Sequence, residues 1–312
     1  MRALTAGLGI ATVAVLANCS LITRAGVGLL YERAELPAAQ IVSNICYLSA
    51  SPCDTPKHTL DLYRPAASGW PVIVFLHGGN WDSGDKNDRA GGADVYANIG
   101  RFYASRGIGV AVINYRLQPR VAWSAQIDDV RAAVAWVRGN IERHGGQADR
   151  LFLMGHSAGA HLASFAALTT PNAGIRGVIA VSAAALDLTD EQTYQLGADR
   201  DYYRARFQGD DRTEGWQRRA SPALFASAKA PPFLILHATG ETRALTRQSQ
   251  LMHDALTKSG GASRLLAIPG ESHSRMVLVL SHPGKAAAPA VVDFVLRAAI
   301  GRRFPLHLEF VT

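Results

Sequence analysis

The chain has 312 residues, of which 48% are apolar and only 18% charged, so it can build a sizeable core and is not a disordered chain. Its formal charge is +7, but the cations are scattered, with only short pairs such as Arg218-Arg219 and Arg302-Arg303. Without a cationic block there is no nucleic-acid footprint, and a mildly basic, solvated surface is the reading that remains.

The first segment reads as an export signal. Arg2 precedes an uncharged run over residues 3–17 rich in Ala, Val, Leu and Ile, the form of a secretory signal. The run is short of the about 20 residues a spanning helix needs. It ends in Leu16-Ala17-Asn18-Cys19-Ser20, which is similar to the bacterial lipobox, where cleavage precedes a cysteine that becomes lipidated. Asn18 departs from that pattern. Residues 1–18 are therefore expected to be a signal peptide, with Cys19 as the lipidation candidate and a route to membrane attachment. The protein is expected in the periplasm or cell envelope; ordinary cleavage nearby with secretion, or an uncleaved anchor, are the alternatives. The other two cysteines, Cys46 and Cys53, lie seven positions apart around Ser51-Pro52. They are disulfide candidates in an oxidising compartment, the alternative being two unpaired thiols.

A linker is expected over residues 19–40, then short strands at 41–48 and 58–63. From residue 71 the pattern becomes apolar strands alternating with amphipathic helices. Strands are expected at 71–76, 107–115, 150–154, 176–181, 233–237 and 264–268. Helices are expected at 127–141, 157–168, 246–258 and 288–299. Continuous apolar strands between helices imply an α/β domain over 41–300, with a mostly parallel central sheet covered by helices on both faces. Residues 190–219 break this rhythm: they are polar, rich in Arg, Asp and Tyr, and too long for an ordinary connection. Such an insertion would lie over the strand ends where substrates bind, so it reads as a short cap, the alternative being a solvated excursion. Residues 301–312 form a C-terminal tail.

Gly155-His156-Ser157-Ala158-Gly159 carries the chemistry. It follows a strand directly and opens a helix, the setting of a nucleophile elbow in which a tight turn exposes the serine Oγ. Serine is a weak nucleophile near pH 7 and needs a base within hydrogen-bond reach. His77-Gly78-Gly79-Asn80-Trp81 follows the strand at 71–76. Glycines let backbone N–H groups approach a developing oxyanion, so Gly78, Gly79 and Ala158 are the expected donors. His77, His156 and His161 read as packing or supporting residues, and Asp128 and Asp129 as acidic residues opening a helix.

These motifs, with Ser83-Gly84-Asp85-Lys86 and Asn114-Tyr115-Arg116-Leu117, make the chain resemble the esterase/lipase branch of the α/β hydrolases. It is similar to small bacterial carboxylesterases, kynurenine formamidase and prenylcysteine methylesterase. Asn80 stands where the lipase-type motif has a third glycine. The resemblance implies an α/β-hydrolase fold and a triad in the order Ser, acid, His. In Pro269-Gly270-Glu271-Ser272-His273, after the last strand, it points to His273 as the base. The acid falls near Gly240-Glu241, so Glu241 is the candidate, with Asp187 as the alternative and Arg243 as a rival ion-pair partner for Glu241.

The expected function is hydrolysis of a small-molecule carboxylic ester through an acyl-enzyme. A formamidase-like amide hydrolase and an inactive tethered binding protein are the alternatives. The sequence holds no P-loop, no dinucleotide fingerprint and no metal-ligand cluster, so neither a cofactor nor a metal is expected.

Overall fold

The computed structural model describes residues 30–48, 53, 55–209 and 214–301. The expected signal, Cys19 and most of the tail lie outside these residues. Eight strands form one sheet in the order β1-β2-β4-β3-β5-β6-β7-β8. They are β1 (Ile41–Cys46), β2 (Thr59–Tyr63), β3 (Trp70–Leu76), β4 (Gly109–Ile113), β5 (Gly146–His156), β6 (Ile175–Val181), β7 (Phe233–Ala238) and β8 (Ser263–Ile268). The β1–β2 and β2–β4 pairs are antiparallel, and every pair from β4 to β8 is parallel.

Helices cover both faces. They are α1 (Val95–Ala104), α2 (Trp123–Asn140), α3 (Ala158–Thr169), α4 (Glu191–Gln195), α5 (Arg200–Phe207), α6 (Trp216–Ala220), α7 (Arg243–Lys258), α8 (Met276–Val279) and α9 (Ala287–Ala299). Alternate strand residues feed two cores. Val72, Val74, Leu76, Leu151 and Leu153 pack with Val130, Val134 and Val137 of α2 and Leu162 of α3. Ile73, Phe75, Phe152, Met154 and Ile179 pack with Ile99 and Phe102 of α1 and Val291 and Phe294 of α9. Because both strand faces are buried, the strands read as unbroken apolar runs rather than alternating ones.

Three local findings differ from the sequence expectations. Helix α1 was not expected; nearly all its residues are buried, Gly100 and Arg101 among them. Helix α2 begins four residues before the expected start, which places Asp128 and Asp129 in its second turn. Asp129 is buried and receives hydrogen bonds from Arg116 Nε (2.9 Å) and Nη2 (2.6 Å), with His58 Nε2 3.3 Å away. The end of the expected linker is docked: Ala34 N–H donates to Asn98 Oδ1 (2.8 Å) and Arg101 Nε to Ala34 O (2.9 Å). Cys46 and Cys53 are joined by a disulfide.

The register brings the functional loops to one edge. Leu76 pairs with Gly155, His156 with Val181, and Ala238 with Ile268. The chain leaving each strand there enters the loops of residues 77–84, Ser157, the 190–219 insertion, Glu241 and His273. This is the carboxyl edge of a parallel sheet, where such folds bind ligands.

Candidate active site

Ser157 sits between β5 and α3 with φ 55° and ψ −120°, a sparsely populated conformation for a residue with a side chain. The surroundings hold it there. Its N–H donates to Val181 O (2.9 Å), and its carbonyl receives Ala160 and His161 N–H at 3.0 and 3.2 Å. Gly159 makes the turn possible: a Cβ there would lie 2.4 Å from the carbonyl oxygens of Leu76 and His77.

His273 and Glu241 are brought to this serine by two loops zipped together. Thr239 N–H donates to Ile268 O (3.0 Å) and Gly240 N–H to Glu271 O (2.9 Å). Gly270 N–H donates to Thr239 Oγ1 (3.1 Å). Thr242 caps α7 by accepting from Leu245 N–H (3.4 Å), which fixes the chain just after Glu241. The Glu271 carboxylate is buried and paired with Lys285 Nζ at 2.9 Å and Arg275 Nε at 3.1 Å, anchoring the strand-to-His273 connection.

The result is a linear arrangement. His273 Nε2 lies 3.0 Å from Ser157 Oγ. On the other side of the ring, His273 Nδ1 is 3.4 Å from Glu241 Oε1. The Glu241 side chain is fully buried, whereas the His273 side chain is 25% exposed. Arg243, the rival partner for Glu241, is exposed. Asp187, the alternative acid, instead accepts from Thr189 N–H (2.9 Å) and Thr189 Oγ1 (2.6 Å). Of the other late histidines, His253 contacts Ser263 Oγ (3.0 Å) and His282 accepts from Gly284 N–H (3.1 Å).

The expected oxyanion donors divide. Gly78 approaches Ser157 closely, since a Cβ there would lie 3.4 Å from Ser157 Cβ. Its N–H, however, donates to the Tyr96 hydroxyl of α1 (3.2 Å). A buried N–H takes the partner within reach, and here that partner is the Tyr96 side chain. Gly79 and Ala158 remain as candidate donors. Ala158 N–H stands in the first turn of α3, where helix N–H groups lack internal partners and the dipole favours negative charge.

Three buried histidines support the site without reaching Ser157 Oγ. His156 Nε2 donates to His273 O (2.9 Å), tying the turn at Ser157 to the loop that carries His273. Trp81 Nε1 donates to His161 Nδ1 (3.2 Å), and His161 Nε2 donates to Ala220 O (2.8 Å). His77 stacks on Tyr115 with centroids 4.3 Å apart, and Tyr115 Oη donates to His77 O (2.8 Å). Burial lowers their pKa values, to about 4 for His77, about 3 for His156 and about 4 for His161. The role of Tyr96 rests on a contact between distant segments and has no local motif. Among the described residues, no group of three or more His, Cys, Asp or Glu side chains is placed to hold a metal ion.

The segment between β6 and β7 holds α4, α5 and α6. Its base is clamped to α7 by Arg247, whose Nε and Nη2 each lie 2.6 Å from the Asp190 carboxylate. That pairing holds the Asp190 pKa down to about 2. Phe207 of α5 packs edge-on against Trp81 with centroids 4.9 Å apart, which sets the insertion down beside the 77–84 loop.

Comparison with known proteins agrees with this architecture. The BD-FAE family model matches residues 60–256, more than half of the chain. Esterase LipQ of Mycobacterium tuberculosis (strain ATCC 25618 / H37Rv) is 33% identical over 247 residues, covering 75% of this chain and 56% of the relative. Isoprenylcysteine alpha-carbonyl methylesterase ICME of Arabidopsis thaliana is 28% identical over 244 residues, covering 72% of this chain and 56% of that protein. The chain thus spans about half the length of these curated relatives. Among solved structures, a truncated carbohydrate esterase from gut microbiota superposes with TM-score 0.67 at 21% identity, covering 87% of this chain and 98% of that one. Esterase B from Lactobacillus rhamnosis gives TM-score 0.67 at 20% identity over 89% and 90% of the two chains. A family match over most of the sheet, on a mostly parallel sheet shared with esterase structures, places this chain in the BD-FAE family, with the α/β-hydrolase fold.

Proposed function

We propose that the protein hydrolyses carboxylic esters, with Ser157 as nucleophile, His273 as general base and Glu241 as the orienting acid. The observation that carries this reading is the Ser157 Oγ–His273 Nε2 distance of 3.0 Å, with Glu241 at the opposite ring nitrogen. Relatives named as an esterase and a methylesterase support the same reaction class.

The steps follow from the geometry. His273 Nε2 takes the Ser157 hydroxyl proton as Oγ bonds to the ester carbonyl carbon, and the carbonyl π pair moves onto its oxygen. Gly79 and Ala158 N–H groups stabilise that oxyanion. The tetrahedral adduct collapses, the alkoxide leaves with the proton from His273, and an acyl-Ser157 ester remains. Water then attacks the acyl carbon with His273 again as base, and the carboxylic acid departs as the proton returns to Ser157. Glu241 holds the imidazole in the tautomer with its lone pair on Nε2 and stabilises the imidazolium.

The substrate is a small ester, and the 190–219 cap shapes the room for its acyl and alcohol parts. The protein acts outside the cytoplasm, tethered through a lipidated Cys19. The apolar run before Cys19 and the Cys46–Cys53 disulfide support that placement, because disulfides persist in oxidising compartments. Ser157→Ala should abolish hydrolysis of p-nitrophenyl acetate while the circular dichroism spectrum is retained. Full activity in that variant would overturn the assignment, as would a wild-type protein that a fluorophosphonate probe fails to label.

A further inference from the structure

The loop that carries Gly79 is held in a conformation its sequence does not favour. Asn80 and Trp81 are consecutive non-glycine residues with φ 54° and φ 65°. Left-handed backbone is unfavourable for residues with a Cβ, so two in succession persist only where the surroundings over-determine them. The Trp81 carbonyl is fixed from the hydrolase core, by Gln118 N–H at 3.0 Å and Gln126 Nε2 at 2.7 Å.

The Asn80 carbonyl is fixed from the cap. Arg206, in the last turn of α5, donates through Nε to Asn80 O (3.0 Å) and through Nη2 to Asp82 Oδ2 (2.5 Å). Its guanidinium carbon lies 3.7 Å from the Tyr202 ring centroid, so stacking aims the fork. The helix end bearing Arg206 is itself held. Its last carbonyls, which have no partner within a helix, accept from Gln118 Nε2 (at Arg206 O, 3.0 Å) and Trp123 Nε1 (at Phe207 O, 3.2 Å).

We propose that Arg206 is a positioning residue for the oxyanion hole: from the cap, its two-pronged grip on Asn80 O and Asp82 fixes the turn that aims Gly79 N–H at the reacting oxygen. The proposal rests on the reading of Ser157 as nucleophile. Loss of the Nε donor frees the Asn80–Trp81 peptide to relax toward right-handed backbone, which rotates the preceding peptides away from the serine. Lysine cannot replace the grip fully, because a single ammonium lacks the planar fork that meets two acceptors at once.

The test uses the full chain with R206M, R206K and D82N, and with S157A alongside. Two quantities are read: steady-state hydrolysis of p-nitrophenyl acetate, and inhibition by an aryl trifluoromethyl ketone, whose serine adduct places an oxyanion in the hole. R206M should lower kcat by ~10–100-fold, less than outright deletion of a donor, with KM within about twofold and inhibitor affinity falling by the same factor as kcat/KM. R206K should recover part of both losses, and D82N should give a smaller loss of the same form. A residue that only glued the cap in place would alter KM or stability without this parallel fall. Unchanged kcat in R206M, or a fall in kcat with undiminished inhibitor affinity, overturns the proposal. If R206M does not fold, R206K and D82N decide by the same criterion. Hydrolysis retained by S157A would instead overturn the nucleophile assignment, whereas a dead S157A beside a fully active R206M sinks only the clamp.

Discussion

Replacing Glu241 by Gln tests the acid of the proposed triad. The side chain is fully buried and its carboxylate lies 3.4 Å from His273 Nδ1. At that distance a carboxylate and an imidazolium attract by about 5 kcal/mol for an effective dielectric constant of about 20. In the proposed mechanism the imidazolium forms as Ser157 attacks, so this attraction would act on the transition state. Because His273 is 25% exposed, water screens part of it. We expect about 2–4 kcal/mol, a fall in kcat of roughly 30- to 1,000-fold. Glu241→Gln keeps the shape and removes the charge, so KM and melting temperature should change little. Glu241→Asp should fall between the two, since a shorter side chain draws the carboxylate back from the ring. The assay is steady-state hydrolysis of p-nitrophenyl acetate beside a thermal melt of each variant. Wild-type kcat in a folded Glu241→Gln protein would refute the role, and a large loss in Asp187→Asn would then transfer it to the alternative acid.

Two further expectations concern pH and location. Burial holds the pKa values of His77, His156 and His161 down to about 4, 3 and 4. The unfolded chain therefore takes up protons at these rings as pH falls through about 6.5, while the native state does not. Stability should be full above that pH and decline toward about pH 4, each ring contributing a slope of up to about 1.4 kcal/mol per pH unit. Carboxylates such as Asp190, held down to about 2 by Arg247, enter only at lower pH. A melting temperature that stays flat between about pH 7 and about pH 4.5 would contradict this. For location, Cys19→Ala should move the protein from the membrane fraction to the soluble fraction of the cell envelope; unchanged partitioning would refute a lipid tether at Cys19.

The parallel strands were legible because strands buried on both faces leave continuous apolar text, and the elbow was legible because a strand, a tight turn and a helix occupy adjacent positions. His273 and Glu241 could be placed by their loops after β8 and β7, but their separation from Ser157 depends on register and on the bonds that join those loops. Helix α1 stayed unread although its apolar residues fall at helical spacing, because Gly91-Gly92 before it and Gly100 within it favour a loop reading. The Tyr96 bond to Gly78 comes from that unseen helix, so nothing local in the sequence points to it. Asp129 read as a helix-opening acid because the true start of α2, at Trp123, has neither an acidic first turn nor a side-chain cap.

The 190–219 insertion, the proposed cap, follows β6, the strand lying between those that lead to Ser157 and Glu241. Strand order alone would make it an interchangeable part, since exchanging the β6–β7 connection leaves the strands leading to Ser157, Glu241 and His273 in place. The Arg206 contact with Asn80 and Asp82 removes that freedom. A chimera given a foreign cap would inherit a new pocket, yet it would also lose a cation on which the 77–84 loop leans. Grafts in this lineage should therefore succeed in pairs, the cap travelling with the loop it grips.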